Sequence, residues 1–186
     1  DDDHSVYRAI RREIISHGPA VRDWLADHSL DEDPVRRRHA KAIVSHFDRQ
    51  SADHDFSAFC LRHGEDLNLE EGCWLLSRTR HPEINISAYR ALFDDYARDL
   101  CDRLDFGAEP EGLIAGLNTY LFKEQGYTGN EDNYYDPDNS YLNRVVDNRT
   151  GNPISLCMVY LAVCRRLQLP ITGIGLPGHF LCRFQN

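Results

Sequence analysis

The chain has 186 residues, a length for one domain or one domain with a helical extension, and its 41% hydrophobic and 27% charged residues are ordinary for a globular protein. Its 21 Lys and Arg against 30 Asp and Glu give a net charge of -9, which excludes the basic footprint of a nucleic-acid binder. The longest apolar run, Leu156 to Cys164, is far too short to cross a membrane, and no basic start leads into an apolar stretch.

Helices are predicted through the first hundred residues. Val6, Ile10, Ile14 and Ile15 keep helical spacing up to His17-Gly18. Pro19 suits the first turn of a short helix through Trp24 and Leu25. Asp33-Pro34 opens another, with Ala40, Ile43, Val44 and Phe47 as its stripe and Arg36-Arg37-Arg38-His39 as a solvated face. Phe56, Phe59, Cys60 and Leu61 mark a separate short helix closed at Gly64. Leu69 to Arg80 forms the next, stopped by Pro82. Its Gly72-Cys73-Trp74 reads as packing inside an amphipathic helix. Ser87 is the expected cap of a long helix carrying Leu92, Phe93, Tyr96, Leu100 and Leu104. These short helices lack a fixed period, so they do not make a repeat array.

The character changes after Gly107. Residues 109 to 124 predict a helix through Leu113, Leu117, Tyr120 and Leu121. Gly126 to Asn130 and Tyr134 to Ser140 are rich in Gly, Asn, Asp and Pro, and predict a long loop. Ser140 is placed to cap a short helix through Leu142, Val145 and Val146. Asn152 is a good N-cap and Pro153 a good first residue for a helix whose middle, Leu156 to Cys164, is apolar all round and belongs in the centre. After Pro170, Ile171 to Leu176 predicts a strand, Pro177-Gly178 a turn, and 179 to 184 a second strand. There Phe180, Cys182 and Phe184 form the core face, with His179 on the opposite one.

A cysteine near the start of a buried helix followed by a strand bearing a histidine is the layout of a nucleophile and its base. Cys157 and His179 are the pair in this chain with that order. Cys164 lies two turns further in and reads as a core thiol, as does Cys182 beside Phe180. The six cysteines, which also include Cys60, Cys73 and Cys101, contain no CxxC, and the nine histidines no HExxH. The expectation is free thiols in a reducing, cytoplasmic compartment, with no metal and no cofactor. Asn130, Tyr135, Asp136, Asn139, Asn143 and Arg149 form a dense polar set before the helix. They either hold the loop, with Arg149 paired to Asp136 beneath it, or border a ligand or peptide cleft with His179. Asp136-Pro137-Asp138-Asn139 lacks the spacing of a calcium loop.

Several runs are then recognisable together: Leu117-Asn118, Leu121-Phe122, Gly126-Tyr127-Thr128-Gly129-Asn130, Tyr135-Asp136-Pro137 and Asn139-Ser140-Tyr141-Leu142-Asn143. With Arg149-Thr150-Gly151-Asn152-Pro153-Ile154-Ser155-Leu156, Leu176-Pro177-Gly178-His179-Phe180-Leu181 and the lead-in Leu69-Glu70-Glu71-Gly72, they resemble the SirB-type branch of the transglutaminase-like superfamily over about residues 65 to 184. The resemblance implies an α+β, predominantly helical fold: a papain-like core, in which a central helix packs on an antiparallel sheet, behind a helical lead-in. The expected division is lead-in over residues 1 to 106 and core over 107 to 186, the core truncated at its C-terminal end.

Catalytic members of that superfamily use a Cys-His-Asp triad. His179 matches the histidine, but the shared helix ending puts the usual nucleophile near Ile154 or Ser155, about a turn before Cys157. No later strand here supplies the aspartate, so the expectation is either a third residue outside this chain or Asp136 or Asn139 serving by a different geometry. Two functions are weighed. One is a binding or regulatory module with a degenerate site, its partner a protein or peptide and neither nucleic acid nor membrane. The other is a cysteine-dependent acyl-transfer enzyme, a peptide or isopeptide hydrolase or amide crosslinker, using Cys157 and His179. A hydrolase built on Ser155 and His179 ranks below both.

Overall fold

A computed structural model describes residues 4–62, 67–177 and 179–185. The turn expected at Gly64 and the glycine of the Pro177-Gly178 turn lie outside the described residues. The chain forms two compact units: residues 1–61 with 78–83, and residues 62–77 with 84–186.

The first unit is helical: α1 (His4–Ser16), a 3-10 turn (Pro19–Val21), α2 (Arg22–His28) and α3 (Pro34–Cys60). Leu25, Ile43 and Phe47 are its buried centre, with Ile14, Ile15, Val21 and Val44 packed around them. Asp33 caps α3 by accepting from the Val35 N–H at 2.8 Å, and Pro34 occupies the first turn. α3 does not break before Phe56, contrary to the sequence expectation. Residues 48–55 carry one apolar residue, Ala52, so the apolar stripe fades there. Nothing between Pro34 and Cys60 is Gly or Pro, however, and Ala52 itself is fully buried.

The second unit is built on α4 (Leu69–Arg80, of which residues up to 77 belong here), α5 (Ile86–Arg103), α6 (Pro110–Asn118), α7 (Leu142–Asn148) and α8 (Pro153–Arg166). A π-helical segment (Thr119–Glu124) extends α6, and β1 (Thr128–Gly129) pairs in parallel with β2 (Thr150–Gly151). β3 (Ile171–Leu176) and β4 (His179–Phe184) pair antiparallel, Leu176 opposite His179, and form a two-stranded sheet. Asn85, not Ser87, caps α5, because its side chain reaches the Ala88 N–H at 3.2 Å. The N-cap of α7 is Tyr141, and Ser140 instead accepts from Asn152.

α8 is the centre of this unit. It packs against α5, α7, β3 and β4, and buries Met158, Val159, Tyr160, Ala162, Val163 and Cys164. Trp74, Phe93, Leu100, Leu117, Leu121, Leu142 and Val145 complete a core in which each large side chain contributes about 1.5–3 kcal/mol. α4 is fastened to it by Glu70, whose carboxylate accepts from Arg166 Nη1 and Nη2 (2.7 and 3.1 Å) and from the Trp74 indole (3.1 Å). Arg166 also bonds Asp94 and lies over the Phe93 ring. Burial pushes the Glu70 carboxyl up, but the Arg166 and Trp74 hydrogen bonds and the charges of Arg166 and Arg90 outweigh it and hold it below its ordinary value.

Candidate functional site

The long loop holds itself together with its own amides. Gly126 takes a positive φ of 76° and turns the chain toward β1. Asn130 donates to Asn139 Oδ1 at 2.9 Å and accepts the Asn133 N–H at 3.0 Å. Asn139, itself buried, donates to the Asn133 and Tyr134 carbonyls at 2.9 and 3.0 Å. Asp136 accepts from the Asp138 N–H at 2.9 Å and from Asn133 Nδ2 at 3.2 Å. These three residues of the polar set are therefore brought together, along one wall of a polar cavity of about 660 Å3 that also meets Glu131, Asp132 and Arg144. Arg144 is paired there with Asp138 at 2.9 Å.

Tyr135, Asn143 and Arg149 stand apart from that network. Tyr135 is 91% exposed and rests edge-on against Tyr134. Asn143 is buried in α7, with an Oδ1 that has no hydrogen-bond partner. Arg149 does not pair with Asp136. It sits at φ 57° at the end of α7, bonds the Tyr127 hydroxyl, and lies over the Tyr96 and Tyr127 rings at 5.6 and 4.8 Å. A guanidinium between two aromatic rings gains cation–π attraction that a carboxylate in an exposed loop does not match.

The loop's second task is to set the start of α8. The Asn139 carbonyl accepts the Asn152 N–H at 3.2 Å and the Ser155 hydroxyl at 2.6 Å. Asn152 caps the helix through the Ser155 N–H at 2.9 Å. Ser155 is thus 5% exposed, with its hydroxyl donated to backbone carbonyls. Ile154, beside it, is 56% exposed. A cysteine at either position would meet the helix N-terminus; no thiol does.

Cys157 lies one helical step further, half-buried, with its sulfur 3.6 Å from the Phe180 carbonyl oxygen. The Cys182 sulfur comes within 3.9 Å of the Cys157 carbonyl oxygen. Strand alternation explains the pairing: Phe180, Cys182 and Phe184 point toward α8, while His179, Leu181 and Arg183 are exposed. Among the described residues no hydrogen bond joins His179 to Cys157. The first influence on the Cys157 thiol is instead a hydrogen bond from Cys182, which lowers its pKa against the upward push of burial. The same interaction, with burial, raises Cys182 strongly, so of the two thiols Cys157 ionises first. By contrast burial pushes Cys164 up to about 12, and burial with the Glu70 charge pushes Cys73 up to about 11. Cys182 as a partner of Cys157 was legible in part: the alternation already put it on the face toward the central helix.

Cys157 and Cys182 line an apolar groove of about 320 Å3, walled by Phe122, Leu156, Phe180 and Phe184. That volume lies at the small end of the range of ligand pockets. Among the described residues no group of three or more His, Cys, Asp or Glu could hold a metal ion, and no helix is long and apolar enough to cross a membrane.

The profile of the transglutaminase-like superfamily matches residues 87–186. A UPF0162 protein of Xylella fastidiosa is 41% identical over 119 residues, which are 64% of this chain and 42% of that protein. A UPF0162 protein of Pseudomonas aeruginosa is 30% identical over 124 residues, 67% of this chain and 45% of its own length. F-box only protein 21 of Homo sapiens is 35% identical over 72 residues, 39% of this chain and 12% of that protein. The chain thus spans less than half the length of these relatives. No solved structure matches it significantly.

Proposed function

The chain belongs to the transglutaminase-like superfamily, and from that premise we propose that it is a binding module whose acyl-transfer site is degenerate. The observation that carries this reading is the start of α8. The place where the superfamily's nucleophile is expected holds an exposed Ile154 and a Ser155 whose buried hydroxyl is committed to the Asn139 carbonyl. A hydroxyl that donates to a carbonyl has no base to take its proton. The Cys157 thiol, a step later, also faces a carbonyl, that of Phe180. The ordered motifs from Leu117 to Leu181 support the SirB-type branch, and α8 laid on β3 and β4 is consistent with a papain-like arrangement.

The occupant is a protein or peptide segment that seats an apolar side chain in the groove beside Cys157. The walls are aromatic and aliphatic, and Leu181 at the rim is 51% exposed. The net charge of -9 disfavours nucleic acid. The test is an array of extended peptides that vary one apolar side chain, probed with the wild type and with Leu181→Asp. Retention of sequence-dependent binding by the wild type and its loss in Leu181→Asp is expected. Equal binding by both would rule out the groove.

One observation favours the second reading, cysteine-dependent acyl transfer: the lowered pKa of Cys157 at the groove wall. That reading requires turnover of a glutamine-bearing or isopeptide-linked peptide that disappears in both Cys157→Ala and His179→Ala.

A further inference from the structure

The two thiols at the groove carry chemistry that neither function above uses. We propose that Cys157 and Cys182 are an oxidation site: a hydroperoxide oxidises Cys157, and Cys182 resolves the product to an internal disulfide across the α8–β4 layer. Both residues are half-buried and line the same open groove, so a small oxidant can reach them. The Cys182 sulfur already approaches the Cys157 backbone, at 3.9 Å from its carbonyl oxygen. The Cys157 sulfur points back to β4, at 3.6 Å from the Phe180 carbonyl oxygen. The two side chains therefore occupy one layer from opposite sides. Cys164, by contrast, is 1% exposed and does not line the groove.

The opposite shifts of the two thiols assign the roles. Cys157 is held below its ordinary value and Cys182 above it, so the thiolate forms first on Cys157, and thiolate is the form that attacks peroxide. The Cys157 sulfur attacks one peroxide oxygen, the O–O bond breaks, and the other oxygen leaves as an alcohol or water after taking a proton. Cys157 is then an uncharged sulfenic acid. The Cys182 sulfur then attacks the Cys157 sulfur, and its proton passes to the departing hydroxyl. The S–O bond breaks and water leaves. Two thiols and one hydroperoxide thus give a disulfide, an alcohol and water, with the two electrons passing from sulfur to the peroxide. The product removes a free thiol from the groove wall and ties α8 to β4. A dithiol reductant reverses it. The site stands whether or not the groove binds a peptide.

The test uses the full chain with the exposed Cys60 and Cys101 changed to Ser, so that contacts between molecules do not obscure the result. The folded protein is treated with hydrogen peroxide, its remaining thiols are blocked with N-ethylmaleimide, and non-reduced peptides are mapped by fragment-ion mass spectrometry. The expected product is a Cys157–Cys182 link that dithiothreitol reverses. In Cys182→Ala, Cys157 should instead accumulate as a sulfenic acid, trapped by dimedone several-fold more than in the parent, and without dimedone should proceed to sulfinic acid. A link between Cys164 and Cys182, unchanged alkylation of both thiols after peroxide, or the same over-oxidation of Cys157 with and without Cys182 would each overturn the proposal.

Discussion

Replacing Glu70 with Ala tests whether α4 belongs to the core around α8. Its side chain is 12% exposed and that of Arg166 18% exposed, and the two share two hydrogen bonds while Trp74 adds a third. Breaking a fully buried pair from one side costs about 3–5 kcal/mol. Here Asp94 and the Ala162 carbonyl still hold Arg166, while the Trp74 indole loses its acceptor, so the lower end, about 3 kcal/mol, applies. With a urea slope of about 2 kcal/mol per M, the unfolding midpoint should fall by about 1.5 M. The assay is Trp74 fluorescence in a Trp24→Phe background, which reports the second unit alone. Glu70→Gln should lose less than Glu70→Ala. The sign with pH follows from a folded-state pKa held below the ordinary 4.5. This stability is fully present above that ordinary value and is lost as pH falls through the lower folded value. The wild type should therefore lose stability over that acid window relative to Glu70→Gln. A midpoint change below about 0.5 M for Glu70→Ala, or additivity with Arg166→Met in a double-mutant cycle, would refute the reasoning.

Three further outcomes follow from the fold. Ser77 is fully buried, donates to the Cys73 carbonyl and accepts the Leu142 N–H at 2.9 Å, so Ser77→Ala should cost about 1–3 kcal/mol by stranding that amide at the start of α7, read by the same urea assay. Arg149→Ala should destabilise more than Arg149→Gly by about 1 kcal/mol, because both lose the Tyr96 and Tyr127 contacts but only glycine relaxes at φ 57°; thermal unfolding of the two variants checks it. Gly151→Ala would set a Cβ 2.6 Å from Ser155 Oγ and 3.0 Å from Val145 Cγ1, so it should lower stability by about 1–3 kcal/mol, measured by urea unfolding.

The sequence displayed its local rules better than its long-range partners. Asn152 and Pro153 announced α8, and the period of two in 179 to 184 put Phe180 and Cys182 toward the core. Polar spacing hid the continuity of α3, because a helix needs no apolar stripe where a single alanine is buried. Asn85 and Ser87 both suit a cap, and only the backbone geometry selects Asn85. Arg149 offered a charge, and Asp136 in the loop was the partner expected for it. Two tyrosines from elsewhere, Tyr96 on α5 and Tyr127 after the π-helical segment, took it instead. The same blindness hid Glu70 and Arg166, 96 residues apart, which join α4 to α8 in one packed unit. At the candidate site, the sequence named Cys157 and His179 by order alone. Strand alternation, already visible there, sends Cys182 toward α8 and leaves His179 exposed.

The most direct measurement is the rate of Cys157 alkylation by iodoacetamide across pH values from about 5 to 9, resolved by peptide mass spectrometry, in the wild type, His179→Ala and Cys182→Ala. A binding module with a degenerate site predicts superimposable profiles for the wild type and His179→Ala. It also predicts an inflection that rises in Cys182→Ala, where burial acts on Cys157 without the Cys182 hydrogen bond. Rapid labelling at acidic pH that collapses in His179→Ala would mean an imidazole-activated nucleophile, and would contradict the account.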